Sequence, residues 1–357
     1  MPMRLTFLVS QLDNGGGCRV IAHYAQGLIR LGHTVLVVAP APNLYGRVNN
    51  FLRAIIPNMR RQLPNHFARL GVPVTTLERY RPIAASDVPD ADVIIATWWE
   101  TAIWLKNFPA SKGKKIHFIQ DYEIWNGHIP DVHAALALPL LKITISHWIA
   151  EVIVRLRQPT PIIIPNGVDH ELFWSPARKR PLQPTVGFVY SDNLRKGGDI
   201  AIDAIRKVQI KHPDLRVVVF GHAPPSLPID VANMVYFASP AQNKLREIYG
   251  ECTAWIFPSR EEGFGLPILE ALACGTPVIA CPSGAAPEIL TAGGGTLLRT
   301  FNSDEMADEI LRYLEKSENE WREVSADANE ISKEFQWSKS IYKLESEFLE
   351  MVRSELP

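Results

Sequence analysis

Two carboxylates bracket a glycine-punctuated stretch of the chain, Glu262-Gly-Phe-Gly-Leu-Pro-Ile-Leu-Glu270. Carboxylates repel phosphates, so the natural partners of Glu262 and Glu270 are neutral hydroxyls, the groups that a sugar and a ribose carry in number. Upstream, Thr253-Ala-Trp-Ile-Phe-Pro258 has the length and apolar character of a strand. Downstream, residues 266–273 are helix formers, with Pro267 suited to a first helical turn. Gly263 and Gly265 therefore fall in a strand-to-helix turn. An open parallel α/β sheet binds ligands at such turns, and the free amides of a helix start favour a phosphate. The stretch predicts a nucleotide-sugar site; the spacing also admits a capping acid followed by a solvated helix glutamate.

Four other groups have the types to join such chemistry. Lys196 follows an apolar run at 186–190 and precedes a helical pattern, so a flexible point charge stands where a diphosphate would lie, or else on a solvated surface. Gly15-Gly16-Gly17 sits between the first apolar run and a helical pattern. It admits close backbone approach to a ligand or a plain tight turn, and it lacks the ending of a P-loop and the full dinucleotide fingerprint. Gln120-Asp121-Tyr122-Glu123 follows the run 116–119, where Asp121 either accepts from a substrate hydroxyl or closes an Asx turn. Trp98-Trp99-Glu100 follows the run 93–97, and its indoles suit either stacking on sugar rings or core packing. Asp90-Ala91-Asp92 has the look of a metal-binding pair but precedes its strand, so a turn is predicted there and no metal site.

The elements that must hold these groups alternate throughout. Apolar runs at 5–10, 35–39, 93–97, 116–119, 143–146 and 162–164 form one series, and runs at 186–190, 217–221, 235–237, 254–258, 278–280 and 296–298 form another. Strand-length runs separated by helical patterns predict α/β architecture with two parallel sheets. The chain of 357 residues is long enough for two cores. Residues 175–184 carry three prolines and three basic residues without periodicity and read as linker. The division expected is 1–172, a first domain; 173–184, a linker; 185–335, a second domain that carries the 262–270 stretch; and 336–357, a terminal amphipathic helix.

Charge and composition narrow the setting. A formal net charge of -1 excludes a generally basic surface, yet Arg47, Arg53, Arg60, Arg61, Arg69, Arg79 and Arg81 face only Glu78 between residues 47 and 82. That segment suits an acidic membrane surface or lipid-diphosphate acceptor, or a solvated helical face; no nucleic-acid module accompanies it. Cys18, Cys252, Cys274 and Cys281 have neither metal spacing nor a paired framework, which favours a reducing compartment. With no apolar run of membrane-spanning length and no signal-peptide pattern, a cytoplasmic protein is expected, with peripheral contact at the inner membrane face through 47–82.

Pro258-Ser-Arg-Glu-Glu-Gly-Phe-Gly-Leu-Pro267, Glu270-Ala271 and Ala273-Cys-Gly-Thr-Pro-Val-Ile-Ala280 resemble the donor-site block of family 4 of the retaining glycosyltransferases, which have the GT-B fold. Asn14-Gly-Gly-Gly-Cys-Arg-Val20, Leu31-Gly-His-Thr-Val35, Pro165-Asn-Gly-Val-Asp169 and Lys196-Gly-Gly198 resemble further family segments in the expected order. The resemblance implies two Rossmann-like domains facing across a cleft, 1–172 binding the acceptor and 185–335 the nucleotide sugar, with the helix 336–357 returning to the first, and metal-independent sugar transfer from a nucleoside diphosphate, without a cofactor. It implies that Glu262 holds the donor sugar, Glu270 the ribose and Lys196 the diphosphate. It places Gly263, Phe264, Gly265, Leu266, Ser191, Arg195, Gly221 and Gly16 around the donor. Asp121 joins the catalytic set, and Trp98, Trp99, Gln120 and Glu123 the acceptor side. Three departures stand out: Ser191 replaces an arginine of the family, with Arg195 the nearest substitute; Gln120 replaces a histidine; Cys18 replaces a glutamate. The Gln-Asp-Tyr-Glu form resembles a subgroup that includes bacterial rhamnosyltransferases, and dTDP-, UDP- and GDP-sugars all remain open as donors. The alternatives are a GT-B epimerase or phosphorylase, or a nucleotide-sugar-binding protein without transferase activity.

Overall fold

Continuous apolar runs with no alternation belong to strands covered on both faces, which is the condition of a parallel sheet. The computed structural model, which describes residues 1–42, 65–226 and 229–354, has two such sheets. Among the described residues the first comprises β1 (Arg4–Leu8), β2 (Thr34–Ala39), β3 (Val74–Thr76), β4 (Val93–Ala96), β5 (Lys114–Ile119), β6 (Leu141–Thr144) and β7 (Ile162–Ile163), in the order β3-β2-β1-β4-β5-β6-β7. The second comprises β8 (Thr185–Val189), β9 (Arg216–Gly221), β10 (Met234–Ala238), β11 (Ala254–Phe257), β12 (Val278–Ala280) and β13 (Gly295–Leu297), in the order β10-β9-β8-β11-β12-β13. The described pairings are parallel, with Leu5 opposite Val93 in the first sheet and Trp255 opposite Gly187 in the second. Each predicted run falls on a strand. β3 was not predicted: it is three residues long, only partly buried, and follows Pro73.

The strand order reverses between β1 and β4 in the first sheet and between β8 and β11 in the second. Chain leaving adjacent strands on opposite sides opens a crevice at their carboxyl ends, the usual ligand position of open α/β sheets. The segments following β8 and β11 carry Lys196 and Glu262, and those following β1 and β4 carry Gly15–Gly17 and Trp98.

The chain forms two units, Met1–Pro165 with Trp337–Pro357, and Asn166–Gln336. The break lies at Pro165, earlier than the expected 172, and residues 173–184 are not a free linker. Arg178 donates to the carbonyls of Cys274 at 3.1 Å, Gly275 at 3.3 Å, Cys252 at 3.3 Å and Gly250, and to Thr276 Oγ1 at 2.7 Å, with its guanidinium over the Trp321 ring. One planar five-donor group thus satisfies carbonyls released at the ends of the helices Gln242–Gly250 and Leu266–Ala273. Lack of periodicity around residue 178 concealed this, because a single half-buried arginine leaves no repeating pattern.

In the first unit the helix Gly16–Arg30 buries Val20, Ile21, Tyr24, Ala25 and Leu28 on one stripe. The terminal helix Trp337–Arg353 packs along it. A side chain at Gly27 would meet Ile341 Cδ1 at 2.2 Å, so the two backbones approach as closely as glycine allows. His33 Nε2 and Glu345 Oε1 lie 2.8 Å apart, and His23 stacks on Trp337 at 4.8 Å. Residues 47–64 of the basic segment lie outside the described residues. Of the remainder, Arg81 is spent on Asp87, at 2.6 and 2.8 Å, and on Glu78 at 3.2 Å. Among the described residues no helix is long and apolar enough to cross a membrane.

Candidate functional site

The two segments at the reversal of the second sheet are laced through backbone. The carbonyl of Arg195 accepts from the amides of Arg260 at 2.8 Å and Glu261 at 3.2 Å. The short turn Leu194–Lys196 is capped by the Asn193 side chain, which accepts from the Arg195 amide at 3.0 Å. Gly197 then takes the left-handed conformation at φ 65°, and a Cβ there would sit 1.9 Å from the Pro258 carbonyl oxygen. The glycine after Lys196 is therefore demanded by both conformation and space.

Three ion pairs join these segments. Lys196 Nζ donates to Glu262 Oε1 at 2.6 Å, Arg195 Nε to Glu261 Oε2 at 2.5 Å, and the Arg260 fork to both oxygens of Asp199 at 2.7 and 2.6 Å. Arg195, the nearest substitute for the arginine missing at Ser191, is thus engaged with Glu261. Ser191 Oγ accepts from the Asn193 amide at 3.3 Å. Ser259, which is buried, donates its hydroxyl to Glu262 Oε1 at 3.2 Å, and Ser283 in turn donates to the Ser259 carbonyl at 2.7 Å.

Glu262, Gly263, Phe264 and Gly265 lead into the helix Leu266–Ala273. Its N-cap Gly265 has φ 103°, and Pro267 stands in the first turn. No acidic residue occupies that first turn, so the amide end of the helix keeps its partial positive character. Glu270 is 4% exposed, not solvated, and its Oε2 accepts from Tyr249 OH at 2.7 Å. The two glutamates thus differ: one is held by a lysine at the turn, the other by a phenol inside the unit. Gly221, at the end of β9, has no room for a side chain, since a Cβ would meet Tyr236 OH at 2.2 Å and the Tyr190 carbonyl at 2.5 Å.

In the first unit, Asp13 caps the glycine turn by accepting from the Gly15 amide at 2.8 Å, and the helix begins at Gly16, where a Cβ would meet nothing within 4 Å. Gly17 faces Gln120, whose Nε2 would lie 3.6 Å from a Cβ there. The partly buried Cys18 thiol is pushed up to about 12, chiefly by burial and then by Asp13, which favours the neutral thiol over the thiolate. Asp121 accepts from the Tyr122 amide at 2.8 Å and from the indole of Trp125 at 3.0 Å. Trp125 packs edge-on against Trp98, with ring centroids 5.7 Å apart. Glu123 is buried and accepts from the Trp99 amide at 2.8 Å, which ties the segment after β5 to that after β4. Burial raises its carboxyl well above the usual range, the nearby Asp121 and Glu100 adding to the effect while the Trp99 amide opposes it. A small cavity lined by Trp99, His117 and Glu123 receives this acid. His117, also buried, is held down to about 3 by desolvation and then by Lys142. Asp90 and Asp92 are taken up by Lys112 at 3.0 Å and by the Arg4 amide at 2.6 Å.

Sequence reasoning missed Ser259 as a partner of Glu262, Tyr249 as the partner of Glu270, and Trp125 and His117 altogether. Ser259 lies within the quoted block, so its position was readable but its hydrogen bond was not. Tyr249 reaches Glu270 from another helix, and no spacing reports a contact of that kind.

Residues 183–316 match the family model described as Glycosyl transferases group 1. The chain is 30% identical over 210 residues to D-inositol 3-phosphate glycosyltransferase of Nocardiopsis dassonvillei, covering 51% of this chain and 48% of that protein. It is 30% identical over 181 residues to phosphatidyl-myo-inositol mannosyltransferase of Propionibacterium freudenreichii subsp. shermanii, covering 48% and 47%. The chain thus spans about half the length of these curated relatives. Among solved structures, Anabaena HepE in complex with UDP and glucose superposes with a TM-score of 0.77 at 17% identity, over 97% of this chain and 99% of that one. Sucrose-phosphate synthase from Thermosynechococcus elongatus gives 0.74 at 16% identity, over 99% and 100%. The chain therefore has the GT-B fold of paired Rossmann-like units, and its second unit carries the likeness to group 1 glycosyl transferases.

Proposed function

We propose that the protein is a retaining glycosyltransferase that moves a sugar from a nucleoside diphosphate to a hydroxyl acceptor. The observation that carries this reading is the meeting of Lys196 and Glu262 at the reversal of the second sheet, beside a helix start whose first turn carries no acid and whose interior holds the buried Glu270. Glu270 receives the ribose hydroxyls and Glu262 those of the donor sugar. Lys196 and the amides from Gly263 to Leu266 stabilise the diphosphate as it leaves, where charge develops most in the transition state. The departing phosphate takes the acceptor proton on the same face, so no side-chain nucleophile is required. Asp121, Gln120 and the Trp98–Trp125 pair are assigned to the acceptor side.

Charge neutralisation is given to Lys196 and the amides rather than to a divalent ion. Turnover is expected to survive a chelator, and loss of activity restored by a metal would overturn that assignment. A saccharide or lipid-linked acceptor in polysaccharide, glycolipid or glycoconjugate synthesis, a cytoplasmic setting, and contact with the inner membrane face through residues 47–82 complete the proposal. The donor is a UDP-, GDP- or dTDP-hexose, with rhamnose drawn only from the Gln-Asp-Tyr-Glu segment.

Thermal-shift measurements with UDP-, GDP- and dTDP-sugars, followed by product detection with saccharide acceptors, test the reading. At least one donor should raise the unfolding temperature; a panel without effect would end the donor-site assignment. Glu262→Ala is expected to abolish transfer in a folded protein, and full activity would remove Glu262 from its role.

A further inference from the structure

Among the described residues, the three cations on the segments after β8 and β11, Arg195, Lys196 and Arg260, are each matched by a carboxylate. Arg260 is held by both oxygens of Asp199 and also donates to the Leu194 carbonyl at 2.9 Å. Arg195 is mostly enclosed, with 19% of its side chain exposed, and is paired with Glu261. Lys196 is more open, at 36%, and donates to Glu262 at 2.6 Å through a group that can swing on a flexible stem. A diphosphate entering this crevice therefore finds Arg195, Lys196 and Arg260 each already held by a carboxylate. The pair that opens with least disruption is Lys196–Glu262, because a partly exposed single-contact ion pair is weak and the fork of Arg260 is not.

We propose that the Lys196–Glu262 ion pair is an exchange latch: the incoming diphosphate takes Lys196 from Glu262, and the released Glu262 then becomes available to the donor sugar. The inference rests on the donor-site reading above. The structure also supplies the group that keeps Glu262 in place after the exchange. Ser259 donates to the same oxygen, Oε1, that Lys196 contacts, and the Ser259 backbone is itself fixed by Ser283. Glu262 thus loses a cation without losing its anchor, and its carboxylate turns from a satisfied ion-pair partner into an acceptor for neutral hydroxyls. The latch couples the two halves of one ligand. A free sugar meets a Glu262 already engaged by Lys196, and the site selects diphosphate-linked sugars over unlinked ones.

Calorimetric titration with UDP, GDP, ADP and dTDP tests this without any need to know the sugar. The nucleotide that binds the wild-type protein is carried through a double-mutant cycle of Glu262→Gln and Lys196→Met. Glu262→Gln is expected to tighten binding about threefold to tenfold, because Lys196 no longer has to be taken from a carboxylate. Lys196→Met is expected to weaken binding at least about tenfold. In the Lys196→Met background the gain from Glu262→Gln should vanish. A gain that persists there would mean simple repulsion between Glu262 and phosphate and would overturn the latch; so would no gain in the single variant. Binding of none of the four nucleotides to the wild-type protein would instead overturn the donor-site reading, and the latch with it. Thermal unfolding checks that the variants fold, and Glu262→Ala replaces Glu262→Gln in the cycle if the latter does not.

Discussion

At the scale of single residues, the two glutamates hold different positions in the chemistry of the site. Glu270 accepts the Tyr249 hydroxyl in a place from which water is largely excluded. Tyr249→Phe is expected to cost about 1 kcal/mol in urea unfolding, the worth of one buried hydrogen bond to a carboxylate, and to raise the donor KM with little change in kcat. Glu123 and His117 give the first unit two opposed pH dependences. The Glu123 carboxyl lies above its ordinary value in the folded chain, so its contribution to stability is complete below about 4.5 and is lost as pH rises through the folded value. His117 is depressed from 6.5 to about 3, so its contribution is complete above 6.5 and is lost as pH falls toward 3. Urea midpoints measured from pH 3 to pH 9 should therefore decline on both sides, and Glu123→Gln should flatten the alkaline decline while leaving the acid one. An unchanged alkaline decline in that variant would show that the acid at residue 123 is not its source. The presence of an acid there was legible in the sequence, but its burial was not. Tyr122 and Ile124 flank it, and nothing in their types says whether the chain turns Glu123 toward solvent or toward the Trp99 amide.

At the scale of elements, turns and helix ends decide whether the site exists. Gly197→Ala would place a methyl group against the Pro258 carbonyl in a left-handed conformation. That should separate the two laced segments and cost donor binding at least about tenfold, with a stability loss of about 1–3 kcal/mol; a variant that binds normally would show that the lacing is not needed. Arg178→Ala leaves several helix-end carbonyls without a donor, and a loss of about 3 kcal/mol or more is expected in urea unfolding. Arg178→Lys should recover little of it, since an ammonium cannot reproduce the planar fork. The strands were legible because burial on both faces leaves long apolar runs. β3 was not, because three residues with an exposed Thr75 carry no pattern to read. The helix start at Leu266 was visible from Gly265 and Pro267, whereas the role of Arg178 depended on carbonyls from residues 250–275, far along the chain.

For the molecule as a whole, the division into Met1–Pro165 with Trp337–Pro357 and Asn166–Gln336 has a temporal meaning. The second unit is continuous and can complete its core as soon as its own residues have been synthesised. The first is interrupted, because the surface of Gly16–Arg30 that receives Ile341 stays uncovered until residues 337–353 follow. Domains on a nascent chain ordinarily finish in the order in which they are made. Here the later-made unit can be complete while the earlier one still waits for its last helix, with an apolar stripe around Gly27 open during the interval. Ribosome-bound chains arrested after the second unit should thus resist protease across 166–336 while remaining cleavable within the first unit. The close approach at Gly27 and Ile341 is then the contact expected to form only after residues 337–353 have been made, later than the core of the second unit.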